Sequence, residues 1–505
     1  MPEPSVEPSD APGEMIASWR VALALLLGFV AYRAWFVLGL PGIAGSDPYT
    51  RLYARDQVVV ELFGRKWPPL LQLCVKTIYE LGGDIGHVRI FMAALGAAFL
   101  LAALAYARRG FGRAEALLVA LWLAAEPDIL WITLAPYQEL LLYTPMCLAL
   151  LVLARASALA ERLGAGAPGD ARALGLCALA LTPCLALAET ARYEGALLVL
   201  AVGVALAEPL VRQLGLRRAL PYLALLGVLV ALPIADYLAY TGGVGVAQRS
   251  PSEALRPGSS LTNLDHLGHY LLRESTLLWP ALAGLVLTIR SGVARRLDLR
   301  ALHLYALLFV ATYVLTTPYI PASNRRFHVP LLLWLTIHAA IGVVGVARWL
   351  LAGASPRARQ VGLAAITAFV ATQVGYTWRR AERFAERRTQ EHARETTIGR
   401  AVDARVARDR VIVMAWARGD YHGYPSMRNM RVIAQLGGDV ARVRFLDDYD
   451  AADEAAREGL LRTAGGLLMR EKAGGSAAAM VERATQLRGA PTRARVAKDV
   501  VLLTW

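Results

Sequence analysis

Asp47 is the residue whose neighbours best suit it to acid–base chemistry. It lies in GSDPYTRLYARD, residues 45–56, a stretch with four formal charges directly after a long apolar run. A carboxylate there can take a proton from a sugar or protein hydroxyl that comes within roughly 3 Å. Asp47 also precedes Pro48, and Asp ahead of a proline at the first helical position is a favoured cap. Capping and proton acceptance are both open, and they are compatible. Tyr49, Leu52, Tyr53 and Val60 fall on one side of the following segment, while Arg51 and Arg55 fall on another at helical spacing from Asp47. Asp56 is a second acid, placed to pair with Arg51 or Arg55.

Three further stretches have chemical potential. In EPDILWITLAPYQELLLY, Glu139 opens an apolar run. A charge there costs on the order of 3 kcal/mol at the bilayer centre and less at the interface, so it is expected to face a polar cavity. Glu126 and Asp128 read as exposed. In ETARYEG, residues 189–195, Glu189, Arg192 and Glu194 interrupt an otherwise apolar stretch. Either the three neutralise one another, or Arg192 faces an anionic head group and the acids orient it. In SNRRFHVP, Arg325 and Arg326 suit a lipid phosphate, which guanidinium groups bind bidentately; plain snorkelling is the alternative. His328 follows them with no His or Cys at metal-ligand spacing, and reads as a hydrogen-bonded polar residue.

The elements that must hold these residues are membrane helices. Of 505 residues 56% are hydrophobic, and the mean hydropathy is +0.41. Several runs approach the ~20 apolar residues that cross a bilayer. The net charge of +14 does not indicate nucleic acid, because the arginines cluster between apolar runs as the positive-inside rule expects and form no continuous stripe. Cys74, Cys147, Cys177 and Cys184 suggest neither a disulfide framework nor a zinc site.

The pattern predicts an all-α polytopic membrane domain of about eleven spans, followed by a small C-terminal α/β domain. Residues 1–14 form a Pro- and acid-rich tail. Residues 15–378 form the membrane domain, whose first outer loop is 41–87. The first span, near 16–40, is too long for a signal-peptide core and is read as retained. The others lie near 88–107, 115–134, 139–157, 219–240, 270–289, 301–317, 328–347 and 360–378, with two more between 173 and 207 that meet at Arg192. Each predicted inner loop carries at least three arginines, which places the N-terminus in the cytoplasm and the tail outside the plasma (inner) membrane. In KWPPLLQLCVKTIYEL, 66–81, the proline pair starts a helix with Leu70, Leu71, Cys74 and Ile78 as its apolar stripe, read as lying along the membrane surface. From 379 a charged helix leads into short strands at 410–417, 442–448 and 465–470, helices near 426–436, 450–462 and 476–487, and a closing strand VVLLTW. That alternation predicts a small α/β layer, extracytoplasmic, acting as a lid or acceptor platform.

In this order the motifs resemble the GT-C superfamily of membrane glycosyltransferases, especially bacterial members similar to dolichyl-phosphate-mannose-protein mannosyltransferases and aminoarabinose transferases. The matching parts are SDPY after the first span, KWPPL in the same loop, YQELLLY opening the fourth span, ARYEG at a later outer turn and RRFHVP entering a late span, across about 30–340. Asp47 followed by Pro48 departs from the Asp-Glu of many members, and the Trp-Trp-Asp motif of oligosaccharyltransferases is absent from the tail. The resemblance implies a polyprenyl-phosphate-linked sugar donor, a lipid, glycan or protein acceptor, and inverting transfer on the outer face. It implies Asp47 as base, Glu139 beside it, and Arg192, Arg325 and Arg326 holding the leaving phosphate, with Tyr49, Arg51, Asp56, Glu194 and His328 in support. Some members use a divalent metal bridged by acids; no cofactor is otherwise implied, and Glu139 with Asp47 are the ligands that such a metal would find. A lipid-linked-sugar transporter (flippase) and an oligosaccharyltransferase-like enzyme are the rival readings.

Overall fold

The structure, a computed structural model, describes residues 69–134, 136–164, 170–192, 194–240, 259–274, 276–316, 328–390, 393–419, 426–436, 442–472 and 474–505, with isolated helical residues in the first apolar run. Asp47, Tyr49, Arg51, Asp56, Arg325 and Arg326 lie outside the described residues. The described residues of 93–130 and 139–381 form one compact unit, and those of 69–92, 131–138 and 382–505 form another.

The chain is a multi-pass helical membrane protein. Its helices are α1 (Leu70–Glu80), α2 (Ile85–Gly110), α3 (Arg113–Ala125), α4 (Pro127–Leu134), α5 (Glu139–Gly164), α6 (Asp170–Ala191), α7 (Glu194–Leu214), α8 (Leu216–Tyr240), α9 (Ser259–His269), α10 (Leu278–Arg290), α11 (Leu297–Thr316), α12 (Val329–Leu351) and α13 (Pro356–Gln390). Among the described residues seven helices are long and apolar enough to span a bilayer, or eight if α3 and α4 count as one. Their outer faces carry exposed Leu176, Leu200, Val204, Leu307 and Phe369. Such faces are stable only against lipid.

Three expected spans take a different form. The run 115–134 is not one helix: α3 and α4 meet at a 63° bend. Pro127 cannot donate to the ladder of α3, but suits the first position of a new helix. The run 270–289 is divided into a π-turn at Tyr270–Glu274 and the 13-residue α10. At 1.5 Å per residue α10 covers about 20 Å, short of the roughly 30 Å hydrocarbon core. The last span and the charged helix after it are one 35-residue helix, α13. Arginine and glutamate are good helix formers, so the loss of hydrophobicity near residue 379 ends the apolar stretch without ending the helix. The split between α6 and α7 falls at Arg192, as the charges suggested.

α1 begins directly after Pro69, and Leu71 of the expected stripe is buried, but it is joined by Val75, Tyr79 and Gln72, while Leu70, Cys74 and Ile78 are only half-buried. Both stripes have four-residue spacing; hydrophobicity alone did not distinguish them.

Two contacts bind the membrane unit. At one end Arg296 donates to Asp298 at 2.7 and 3.1 Å and to the Gly110 carbonyl, lies 5.0 Å from the Phe111 ring, and shares Asp298 with the Tyr106 hydroxyl at 2.9 Å. An arginine of an expected inner loop thus ties α2 to α11. Elsewhere α10 crosses α12 backbone to backbone. A Cβ on Gly284 would collide with the His338 carbonyl, and one on Gly342 with the Pro280 carbonyl. Small residues permit such approach in membranes, where van der Waals contact replaces the hydrophobic drive. Gly284→Val is expected to destabilise the protein by about 2 kcal/mol through overpacking. A lowered unfolding midpoint in detergent checks this, and an unchanged one would place the crossing elsewhere.

The tail contains α14 (Ala393–Asp403), β1 (Ile412–Met414), α15 (Met427–Gln435), β2 (Val443–Phe445), α16 (Leu446–Ala451), α17 (Glu454–Thr463), β3 (Gly466–Arg470), α18 (Ser476–Arg488), β4 (Thr492–Ala497) and β5 (Val500–Thr504). The sheet order is β2-β1-β3-β5-β4; β1 pairs parallel with β2 and β3, and β5 pairs antiparallel with β3 and β4. Val413, Leu467, Val501 and Leu503 form a core with Leu461, Ala477 and Met480. β4 was not foreseen: TRARVA has arginine at alternate positions and is largely exposed, as expected of an edge strand protected by charge.

Candidate active site

Arg192 is presented by a tight break between two membrane helices. Its amide closes the last turn of α6 on Ala188 at 3.1 Å, and its carbonyl accepts from Gly195 at 2.9 Å. Gly195 is required there, because a Cβ would strike the Ala188 carbonyl. Two acids meet the guanidinium. Glu139 opens α5 and Glu194 opens α7, each at a helix N-terminus where the partial positive charge of free amides favours a carboxylate. Arg192 Nη1 donates to Glu139 Oε1 at 2.5 Å, Nε donates to Glu194 Oε2 at 3.0 Å, and Nη2 donates to Glu194 Oε1.

The cluster is nearly dry. Glu139 is 1% exposed and the Arg192 side chain 13%. Burial opposes the charge on Arg192, but the carboxylates of Glu194 and Glu139 prevail and hold its pKa well above the ordinary value. Arg192 is therefore held as a cation between two acidic partners. Of the alternatives left open by the sequence, this is mutual neutralisation, with Glu139 taking the place given to Glu189.

Three buried polar atoms around the trio have no hydrogen-bond partner among the described residues: Glu139 Oε2, Tyr143 Oη and Tyr305 Oη. Tyr143 is one helical turn beyond Glu139 on α5, and both tyrosines lie within electrostatic reach of Arg192. An unsatisfied buried polar atom costs about 1–3 kcal/mol, so three of them together mark a surface made for water or a polyhydroxylated ligand.

His328 does not join this cluster. It is 3% exposed, stacks on Tyr270 with centroids 4.6 Å apart, and lies 3.2 Å from the Tyr313 hydroxyl. Asp128, read as exposed, is fully buried, since the bend at Pro127 turns the first residues of α4 inward. It is the acid that sequence reasoning undervalued, and Pro127 was the available signal. Tyr143 stood in YQELLLY at i+4 from Glu139, but Tyr305, inside an apolar run, gave no signal. Among the described residues no group of three or more His, Cys, Asp or Glu is arranged to hold a metal ion. A divalent metal at Glu139 would need ligands beyond these, Asp47 among them, and would sit beside an arginine that already occupies Glu139 Oε1.

No protein-family model matches the sequence, and no curated protein does. Solved structures do. ArnT from Cupriavidus metallidurans bound to undecaprenyl phosphate is similar at a TM-score of 0.52 and 15% identity, over 98% of each chain. The archaeal oligosaccharyltransferase AglB from Archaeoglobus fulgidus, in complex with an inhibitory peptide and a dolichol-phosphate, is similar at a TM-score of 0.51 and 12% identity, over 88% of this chain and 69% of that one. At these identities the likeness shows a shared fold.

Proposed function

We propose that this chain is a glycosyltransferase that moves a sugar from a polyprenyl-phosphate donor to an acceptor hydroxyl or amine on the outer face of the inner membrane, with inversion. The observation that carries the reading is the buried Glu139 side chain, held through Oε1 by Arg192 and leaving Oε2 without a partner beside two unpartnered tyrosine hydroxyls. It stands in a chain of GT-C fold, and both similar structures contain a polyprenyl or dolichol phosphate.

In this mechanism Asp47 takes the proton from the acceptor as the acceptor atom bonds to the anomeric carbon. The bond from that carbon to the phosphate oxygen breaks on the opposite face, and its electron pair leaves with the lipid phosphate. Charge grows on the phosphate as the bond breaks, so cations there stabilise the transition state more than the ground state. Arg325 and Arg326 supply that charge. Arg192, already shared by two acids, acts instead as a positioning residue for Glu139, whose free oxygen binds a sugar hydroxyl. Tyr49, Arg51 and Asp56 shape the loop that carries Asp47, Glu194 fixes Arg192, and His328 packs the base of the helix that follows Arg325 and Arg326. The N-terminus is cytoplasmic and the tail extracytoplasmic.

Mass spectrometry of lipid co-purified with the protein tests the donor. A polyprenyl-phosphate sugar is expected. Its absence, together with no sugar transfer from added polyprenyl-phosphate donors, would refute the reading.

A further inference from the structure

The geometry points to a second anion site, in the C-terminal domain, that takes the phosphate of a phosphorylated headgroup. The sheet reverses its winding at β1. From β1 the chain passes through α15 to β2 on one side, then returns through α16 and α17 to β3 on the other. The connections diverge above the gap between β1 and β3, and in open α/β sheets ligands bind in such a crevice, outside the carboxyl ends of the strands. A cavity of about 270 Å³ lies there. Trp416 and Ala417, just past β1, form one wall, and Arg470, the last residue of β3, forms another.

The crevice is a built feature. Asn429, 4% exposed, donates to the carbonyls of Ala417 at 3.2 Å and Arg418 at 2.7 Å, and accepts from Trp416 Nε1 at 2.8 Å. These bonds fix the chain leaving β1 against the start of α15. Three arginines line the cavity: Arg394, Arg428 and Arg470. Arg394 is held by Asp499. Arg428 and Arg470 make no side-chain hydrogen bond or ion pair among the described residues, and Glu395 is the one acid in the lining. Other arginines of the domain are engaged: Arg442 with Asp403, Arg483 with Glu458, and Arg495 with Glu471. Two uncommitted guanidinium forks facing one cavity match the oxygens of a phosphate. The volume is just below the roughly 300–1,000 Å³ of pockets that enclose whole small molecules, so it suits one phosphorylated headgroup and not an extended glycan.

That this headgroup belongs to the acceptor rests on the transferase reading; the binding itself does not. The test is hydrogen exchange of the full chain in nanodiscs, following peptides over 412–419, 426–435 and 466–472. The probes are soluble glucose 1-phosphate with phosphatidylcholine discs, and phosphatidic acid within the discs. Slower exchange in these peptides is expected with at least one probe; the first identifies a soluble source and the second a lipid-borne one. The double variant Arg428→Gln with Arg470→Gln, at exposed positions, is expected to bind the effective probe at least about tenfold more weakly, as loss of two charge-assisted contacts implies. Unchanged exchange over 500–504 in the variant shows that the sheet is intact. No protection by either probe, or equal binding by the intact variant, overturns the site. Loss of probe binding in the variant with no sugar transfer by the wild type leaves the site standing and removes the transferase reading.

Discussion

Asp47→Asn is expected to reduce sugar transfer by about 10²–10⁴-fold, the span that a positioned general base contributes. The amide has nearly the same shape and still caps a helix, so the variant is expected to accumulate in the membrane at wild-type levels. That separates the two readings of Asp47: were it a cap alone, the amide would preserve both stability and turnover. Transfer of labelled sugar from a polyprenyl-phosphate donor, normalised to folded protein, is the measurement. Turnover within a few-fold of wild type would remove Asp47 as the base.

Arg192→Gln is expected to have the largest effect on stability. It leaves Glu139 buried without its partner, and breaking a buried pair from one side costs about 3–5 kcal/mol. The double variant Arg192→Gln with Glu139→Gln removes both charges and is expected to recover much of that loss, since two neutral amides no longer leave an uncompensated charge. Transfer is expected to stay low in both: the single variant has lost the group that positions Glu139, and in the double variant an amide at 139 no longer offers a carboxylate oxygen to the sugar. Arg192→Lys keeps the charge but cannot span both acids with a planar fork, and should fall between wild type and Arg192→Gln in stability. Unfolding midpoints in detergent, read beside transfer rates, decide the matter. Should the double variant transfer sugar normally, Glu139 and Arg192 would be a staple between α5 and the α6–α7 turn, with no part in the site.

Much of this site was legible because charges are rare inside a membrane protein. Glu139, Arg192 and Glu194 stood out against apolar surroundings, and the cost of desolvating them meant that they had to meet something. Which partners they met was not legible. Glu139 and Arg192 are separated by two long helices, and only the packing of α5 against α6 brings them together. Asp128 was missed for the converse reason. Its neighbourhood looked like an interfacial turn, and only the bend at Pro127 shows that the carboxylate is enclosed.

The C-terminal domain divides in the same way. Its α/β class followed from the alternation of short β-branched runs with helical stretches. Its crevice did not, because strand order is a long-range property: nothing local to Trp416 or Arg470 says that β1 and β3 are neighbours. The amino-acid sequence by itself determined the membrane class, the positions of most helices and the small set of charges worth attention, since hydrophobic length and the penalty for burying charge act locally. The tertiary structure alone decided that Arg192 is shared by two acids, that α10 and α12 touch at glycines, and that Arg428 and Arg470 converge. Each of those depends on which surfaces come together, and similar hydrophobic surfaces can be paired in many ways until packing selects one.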